Sequence, residues 1–538
     1  LTDCYRRPRP IALDSERLKI RLASFLGRRV EVEEVDIRVG ARKENSGAAL
    51  PIFILFAIEL LAIALLKLPE ILSFDSYGFC DAGANLTVQH LVSQGLTPAV
   101  DFGYHYGLLP ILVGRIWFAI AGRTPLAYQA LMLACDLVMA SAIARIAATL
   151  RFGATSLALS AITLGFVVRA SYPSLAQGLE AVLLLCGLAE QTTGKHSRAL
   201  VFAGAAAFTK PSMGYVYSVL LIGLACLHLR GESLAARIVR VIAPAAMTSI
   251  AIAAILAAWY GPAALIRTLL PLGGATAYRS LHFGFFGSGR EFWDPHDLPW
   301  IFYLVDISGF WIMGTLFLIC SGVAAVLYLA RPADEGVLET RRNETIATCA
   351  VLHLAFIALF FGNQWSWFYY AYFLTVGVAA AAGATAIQQR VTIGLCVLGI
   401  AAWTDVVVSE LRWWQTRERD AVTAGLWAST NERDEWQKVL DAARAQRAVI
   451  LDTKGAIELL VPGFEKPVTL YLDPGWIVPA DIQRKVQQIS DAQIVVVPIG
   501  GIEACEGVPA GPEFDTALKR FEPRMKGKFF DVYQRRQE

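Results

Sequence analysis

The chain has 538 residues, of which 55% are hydrophobic and only 17% charged. Soluble domains carry about 25% charged residues, so this composition excludes an ordinary soluble protein and points to a polytopic membrane protein. Lys and Arg (48) nearly balance Asp and Glu (46), for a net charge of +2, and with no long basic tract and no zinc-ligand spacing the sequence excludes a nucleic-acid partner.

Residues 1–48 are polar and carry 11 Lys and Arg, which places this segment on the cytoplasmic side. Asp14 or Ser15 caps a predicted helix through Phe25, and the period-2 alternation of Val30 to Val39, broken once at Glu33-Glu34, predicts a strand. Apolar runs of spanning length, or nearly so, fill residues 49–408, at about 50–68, 125–149, 154–170, 175–190, 199–229, 240–259, 303–331, 345–361, 367–387 and 391–408. The run 199–229 has room for two short helices that meet at Lys210-Pro211. The run 106–122 contains Pro110, Gly114 and Arg115 and is predicted not to cross fully. The basic connections at Arg151, Lys195 to Arg198, Arg230 to Arg240, Arg331 to Arg342 and Arg390 all fall inside if the helices alternate from an inside N-terminus. That gives about 11 crossings, with loops 69–124 and 260–302 outside and the C-terminal tail outside.

After Val408 the chain turns polar. Within 409–538, Val449-Ile-Leu and Ile494-Val-Val-Val-Pro read as short strands, and Asp481 to Ser490 as a helix between them. The predicted fold class is therefore a polytopic all-α membrane domain, with interfacial helices in the first outside loop, followed by a small extracytoplasmic α/β domain. Of nine cysteines, Cys135, Cys186, Cys226, Cys320, Cys349 and Cys396 sit in apolar runs and read as small buried hydrophobes. Cys80 and Cys505 fall on the same outer side, where a disulfide between them is a minor alternative.

Lys210 stands in Ala-Ala-Ala-Phe-Thr-Lys-Pro-Ser-Met-Gly. A cation in the bilayer is costly and needs a partner or a watery cavity. The proline that follows breaks the helix where the charge sits. Such a break suits a membrane-embedded anion such as a lipid phosphate; the alternatives are snorkelling to the interface or a pair with Glu180. The first outside loop reads Ser73-Phe-Asp-Ser-Tyr, then Asn85-Leu-Thr-Val-Gln-His-Leu-Val-Ser-Gln-Gly, then Thr97-Pro-Ala-Val-Asp-Phe-Gly-Tyr-His-Tyr-Gly-Leu-Leu-Pro. An acid stands just past the first membrane helix, a helical stretch ends at Gly95, and a second acid and a histidine lead into the next apolar run.

This order of motifs resembles the GT-C superfamily of membrane glycosyltransferases, which includes protein O-mannosyltransferases and lipid A aminoarabinose transferases. The resemblance covers roughly 50–410. It implies that Asp75 lies near the reacting sugar. The family often has a second acid directly after the first; here that position is Ser76, with Asp81 the nearest substitute, and the departure points away from a divalent metal. The stretch Pro98 to Pro110 resembles the family's "Pro-Tyr-x-Asp-Phe … Pro-Leu" segment, with Asp101, His105 and Pro110 in corresponding places. Lys210 matches a basic residue that ends a helix near the lipid phosphate in relatives. Trp365-Ser-Trp-Phe-Tyr-Tyr-Ala-Tyr resembles the family's late Tyr-rich helix start; an aromatic belt at the membrane boundary is the preferred explanation, with sugar or lipid stacking the alternative. The donor the resemblance implies is a polyprenyl-phosphate-linked sugar, with no certain cofactor.

The chemistry is consistent with that expectation. An inverting sugar transfer needs a carboxylate to take the acceptor's proton and cations to stabilise the departing phosphate. Asp75 suits the first task unless it is only a helix-end acid. Lys210 and an arginine of the second outside loop suit the second. Of Arg267, Arg279 and Arg290, Arg279 is preferred, since Ala275-Thr-Ala-Tyr-Arg lies between glycines. Asp101, Tyr104 and His105 are the expected sugar contacts, with Arg290 a second phosphate contact. Asp136, Asp306 and His353, in or at the edge of apolar runs, read as cross-helix or cavity-lining groups. The expected function is transfer of a sugar to a glycan, lipid or protein acceptor on the outer face of a bacterial inner membrane. A lipid or polysaccharide transporter, or a structural subunit of a membrane complex, are the alternatives.

Overall fold

A computed structural model describes residues 37–73, 77–104, 106–170, 174–228, 233–270, 336–359, 371–381, 386–416, 418–419, 427–428, 430–444, 446–451, 456–469, 479–498, 512–528 and 530–537. The described part before Glu418 is helical, and every described strand lies after it. Three described helical segments, Ala48–Leu66, Pro125–Thr149 and Val239–Tyr260, are long and apolar enough to cross a membrane by length and composition. Leu109–Ala121, Ala154–Gly165 and Pro211–Ala225 are shorter apolar helices.

Helix α1 (Ile37–Leu66) opens the described chain. Ile37 to Val39, predicted as the end of a strand, form its first turn instead. Extending an existing helix costs far less than nucleating a strand, so the apolar run carries helix upstream through a sequence that merely alternates. After the short α2 (Leu68–Ile71), helix α3 (Tyr77–Ser93) and helix α4 (Leu109–Ala121) make up most of the predicted outer loop. At 1.5 Å per residue α4 rises about 20 Å, short of the roughly 30 Å of a bilayer core, as the Pro110, Gly114 and Arg115 of its sequence suggest.

The bundle continues with α5 (Pro125–Thr149), α6 (Ala154–Ala170), α7 (Leu175–Thr192), α8 (His196–Ala207) and α9 (Pro211–His228). Thr124 starts α5: its side-chain oxygen accepts the Ala127 amide at 3.1 Å, and Pro125 follows in the first turn. A π turn at Ile238–Ile242 leads into α10 (Ala243–Tyr260), then α11 (Pro262–Leu269), α12 (Val337–Leu359), α13 (Ala371–Ala381) and α14 (Ala386–Thr416). Phe56 and Leu60 of α1, Ile146 of α5, Leu188 of α7, Leu200 of α8, Leu221 of α9, Leu352 of α12 and Phe373 of α13 share one apolar core. Within it a polar chain crosses three helices. The Tyr217 hydroxyl donates to Gln191 Oε1 at 2.9 Å, and Gln191 Nε2 donates to Thr348 at 2.7 Å. At the end of α7, Glu190 faces Arg145 (2.6 Å), Lys195 (3.7 Å) and Arg198 (4.0 Å).

Helices α8 and α9 are the two short helices expected within 199–229, and they fold back on one another. A Cβ at Gly214, in the first turn of α9, would overlap the backbone at Ala207, the end of α8. Only glycine permits that approach. Further along α9, Tyr217 reaches Gln191 near the start of α8. The tip of this hairpin is Phe208-Thr209-Lys210.

The C-terminal part is a four-stranded mixed sheet in the order β3-β4-β6-β5, preceded by a two-stranded pair, β1 (Glu418–Arg419) and β2 (Trp427–Ala428). Strands β3 (Ala448–Ile450) and β4 (Ile494–Pro498) run parallel, Ala448 opposite Ile494. Strands β5 (Phe521–Lys526) and β6 (Phe530–Arg535) complete it antiparallel. Alternate residues feed two cores. Ile450, Val496 and Val532 pack with Trp436 of α15 (Thr430–Ala443) and Ile457 of α16 (Ala456–Leu460). Val449, Val495 and Val497 pack with Ile489 of α17 (Pro479–Asp491) and Phe514 of α18 (Pro512–Leu518). Under α17, fully buried Lys485 pairs with Glu458 and donates to the Ile450 carbonyl at 3.0 Å.

Candidate functional site at the Lys210 turn

The candidate site is built where the segment 97–109, called the outer segment because it lies in the predicted first outside loop, meets the hairpin tip. Helix α8 ends with its last carbonyls lacking helical partners, as any helix does. The Thr209 hydroxyl donates to the Ala206 carbonyl at 2.7 Å, and the Lys210 amide to the same carbonyl at 3.0 Å. The carbonyls of Phe208 and Thr209, just past the helix end, take donors from the outer segment. The Gly107 amide donates to Thr209 at 2.8 Å, and the Leu109 amide, first in α4, donates to Phe208 at 3.0 Å. The C-terminal end of α8 thus meets the N-terminal end of α4, which also matches their opposed dipoles. A Cβ at Gly107 would overlap the Phe208 carbonyl, so this joint requires glycine.

Side chains seal the joint. Leu91 of α3, Phe102, Leu108, Phe208, Leu256 of α10 and Ala264 of α11 form one buried cluster. Gln89 of α3 donates to the Ile111 carbonyl of α4 at 3.0 Å. Tyr104 lies against this cluster, donates to the Gly107 carbonyl at 3.3 Å and meets Tyr106 edge-on at 6.0 Å. Burial pushes its phenol up, so Tyr104 presents a neutral hydroxyl.

Lys210 is half-buried at the tip, directly before the first turn of α9, and buried Glu180 of α7 is within electrostatic range of it. Asp101 performs a local task that its sequence context did not disclose. Its carboxylate accepts the Thr97 amide at 2.7 Å while its own amide donates to the Thr97 carbonyl at 2.8 Å, closing a turn in both directions. Ala99 within that turn has φ 58°, a left-handed conformation costly for alanine. Arg267 of α11 donates to the Ala99 carbonyl at 2.9 Å and holds it.

The C-terminal sheet domain grips the same segment. The Gly103 amide donates to Asp481 at 3.3 Å, and Arg484 donates to the Asp101 carbonyl at 2.5 Å. Arg484 also pairs with Asp481 and donates to the Val468 carbonyl at 3.1 Å. Beyond Arg484 an open groove of about 570 Å³ runs between Phe464, Lys466, Gln488 and Asp491. Before the site, the Trp427 amide donates to the Leu72 carbonyl at 3.0 Å and the Ser73 hydroxyl donates to the Trp427 carbonyl at 3.1 Å. Of the expected site residues, Asp101, Tyr104 and Lys210 are thus gathered around one joint. Asp75, His105, Arg279 and Arg290 lie outside the described residues, as do the aromatic run 365–370, Asp306 and Cys505. Asp136 is half-buried within α5, and His353 is buried within α12. Sequence reading missed Gly107, Asp481 and Arg484; the last two sit in a helix whose polar residues look like a solvated face. Among the described residues no three His, Cys, Asp or Glu side chains converge as metal ligands.

No family model matches the sequence, and no curated protein matches it. Among solved structures, the chain is similar to the crystal structure of ArnT from Cupriavidus metallidurans bound to undecaprenyl phosphate. The similarity spans 89% of this chain and 97% of that chain, at 12% identity and a TM-score of 0.49.

Proposed function

We propose that this protein transfers a sugar from a polyprenyl-phosphate-linked donor to an acceptor at the outer face of a bacterial inner membrane. In this reading about 11 helices cross, the N-terminus is cytoplasmic and the C-terminal domain, 409–538, is periplasmic. The observation that carries the proposal is the joint of Gly107 and Leu109 with the Lys210 turn. It sets a cation, at the tip of the α8–α9 hairpin, beside the loop that holds the candidate acid.

The acceptor hydroxyl attacks the anomeric carbon, the carbon–oxygen bond to phosphate breaks, and the acceptor's proton passes to Asp75. Attack from the face opposite the phosphate inverts the anomeric centre. Lys210, with Arg279 and Arg290 of the second outer loop, takes up the charge of the leaving phosphate. Asp101, Tyr104 and His105 hold the sugar, Asp101 chiefly by shaping the turn. The groove beside Arg484 receives the acceptor. Ser73, anchored by Trp427, precedes Asp75 by two residues, which gives the acid a fixed point of attachment.

Binding and chemistry separate in the test. Lys210→Gln lowers affinity for undecaprenyl phosphate in detergent by about 10- to 100-fold, the loss of one charge-assisted contact. Asp75→Asn retains that affinity but no longer releases polyprenyl phosphate from the lipid-linked sugars of native membranes. Wild-type affinity in Lys210→Gln would sink the phosphate assignment, and retained transfer in Asp75→Asn the base assignment. Lipid binding without sugar transfer in the native chain favours a transporter.

A further inference from the structure

The pair Asp481–Arg484 is distant in sequence from the segment it holds across the junction. The Gly103–Asp481 bond spans 378 residues and the Arg484–Asp101 bond 383. Asp481 is fully buried, in the first turn of α17, where the helix dipole favours a carboxylate. Its two oxygens are divided between domains: one meets Arg484, the other the Gly103 amide. Arg484 divides its guanidinium likewise, between Asp481 and Val468 on its own side and the Asp101 carbonyl across the junction. A planar fork of five fixed donors can satisfy three acceptors at once; a lysine ammonium is a point charge and offers no such plane. The gripped backbone, Asp101 to Gly103, runs four residues later into Gly107, whose amide holds the Thr209 carbonyl beside Lys210. Hydrogen bonds at Asp101 and Gly103 on one side and at Gly107 on the other therefore tie the C-terminal domain and the Lys210 turn to the same short stretch of chain.

We propose that Asp481 and Arg484 are positioning residues for the transfer site. From the C-terminal domain they set the segment 97–109 against the Lys210 turn, so that lipid-phosphate binding depends on a pair that does not touch the lipid. The lipid part of this inference rests on the function proposed above; the positioning part does not. A clamp that only docked the domain would influence its own bonds alone. A positioning clamp also influences the bonds of Gly107 and Leu109, neither of which is made to α17.

The test is amide hydrogen exchange, resolved to single amides, on the full chain and on Arg484→Gln, Arg484→Lys and Asp481→Asn, together with affinity for undecaprenyl phosphate. Expected are exchange at Gly107 and Leu109 faster by about tenfold in all three variants, and lipid affinity weaker by a similar factor. Lysine fails to rescue because it restores the charge without the fork. Faster exchange confined to Gly103, with Gly107 and Leu109 as protected as in the wild type, overturns the proposal. General unfolding is recognised by lost protection along α7; Asp481→Asn, which keeps the shape of the side chain, is the variant least prone to it. Lys210→Gln, run alongside, separates the two readings. If it leaves lipid affinity unchanged, the phosphate site is wrong and the clamp stands or falls on the Gly107 and Leu109 amides.

Discussion

Gly107 carries no side chain because the Phe208 carbonyl occupies the space one would need. Gly107→Ala forces the outer segment away from the hairpin tip, at a cost of about 1–3 kcal/mol for the overpacking. The expected outcome is a lower unfolding midpoint in detergent and weaker undecaprenyl phosphate binding, with wild-type behaviour in both contradicting the joint as described. Legibility in the sequence divides at this scale by the kind of physics involved. Lys210 stands out because a charge followed by proline in an apolar run is expensive wherever the chain folds. Gly107 does not, because close approach belongs to a pair of segments 101 residues apart and leaves no local mark. Asp101 was legible as a special acid but not as the lock of its own turn. A carboxylate that accepts the amide four residues back looks, in sequence, the same as one that faces a substrate.

At the scale of elements, hydrophobic runs foretold the hairpin α8–α9 and the helix and two strands of the sheet domain that the sequence singles out. Both are decided by local patterning and by where the apolar run stops. The alternation before α1 misled at Ile37 to Val39, because a neighbouring helix overrode a short-range signal. Which helices touch was not legible, since apolar faces in a membrane bundle are nearly interchangeable. The specific contacts are polar, and Tyr217, Gln191 and Thr348 form one such chain across α9, α7 and α12. Tyr217→Phe removes the donor to Gln191 Oε1. Bonds of this kind between membrane helices are worth about 0.6 kcal/mol on average and up to roughly 1.7. Unfolding of the purified variant in mixed micelles should show a loss in that range, and an unchanged midpoint would mean that the chain of bonds does not stabilise the bundle.

At the scale of the molecule, the C-terminal domain rests on the outer segment rather than beside it. Leu459 and Leu460 of α16 pack into the cluster of Leu86, Phe118 and Tyr128, and α17 grips Asp101 and Gly103. The seam carries a titrating group, His90 in the last turn of α3. Burial, with the charges of Arg123 and Lys466 nearby, holds its imidazole below the ordinary value of 6.5. Protonation is therefore harder in the folded seam than in the unfolded chain. The stability His90 contributes is complete above about pH 6.5 and is lost as the pH falls from there through the lowered folded value. Thermal unfolding followed between about pH 7.5 and 5.5 should fall more steeply for the native chain than for His90→Gln, and parallel curves would remove His90 from the seam's pH response.

The bond between Ser73 and Trp427 spans 354 residues, and those between the outer segment and α17 span 378 and 383. A ribosome adding about 5–20 residues per second takes roughly 20–80 s to travel from the first partner of each pair to the second. Through most of that interval the segment 97–109 has already been synthesised while the residues that hold it do not yet exist. Its final geometry is thus one of the last events of biosynthesis, though it lies near the beginning of the message. A chain cut short anywhere before Trp427 carries Lys210 and the whole of segment 97–109, yet lacks every contact that the C-terminal domain makes to that segment and to Ser73 in the folded chain.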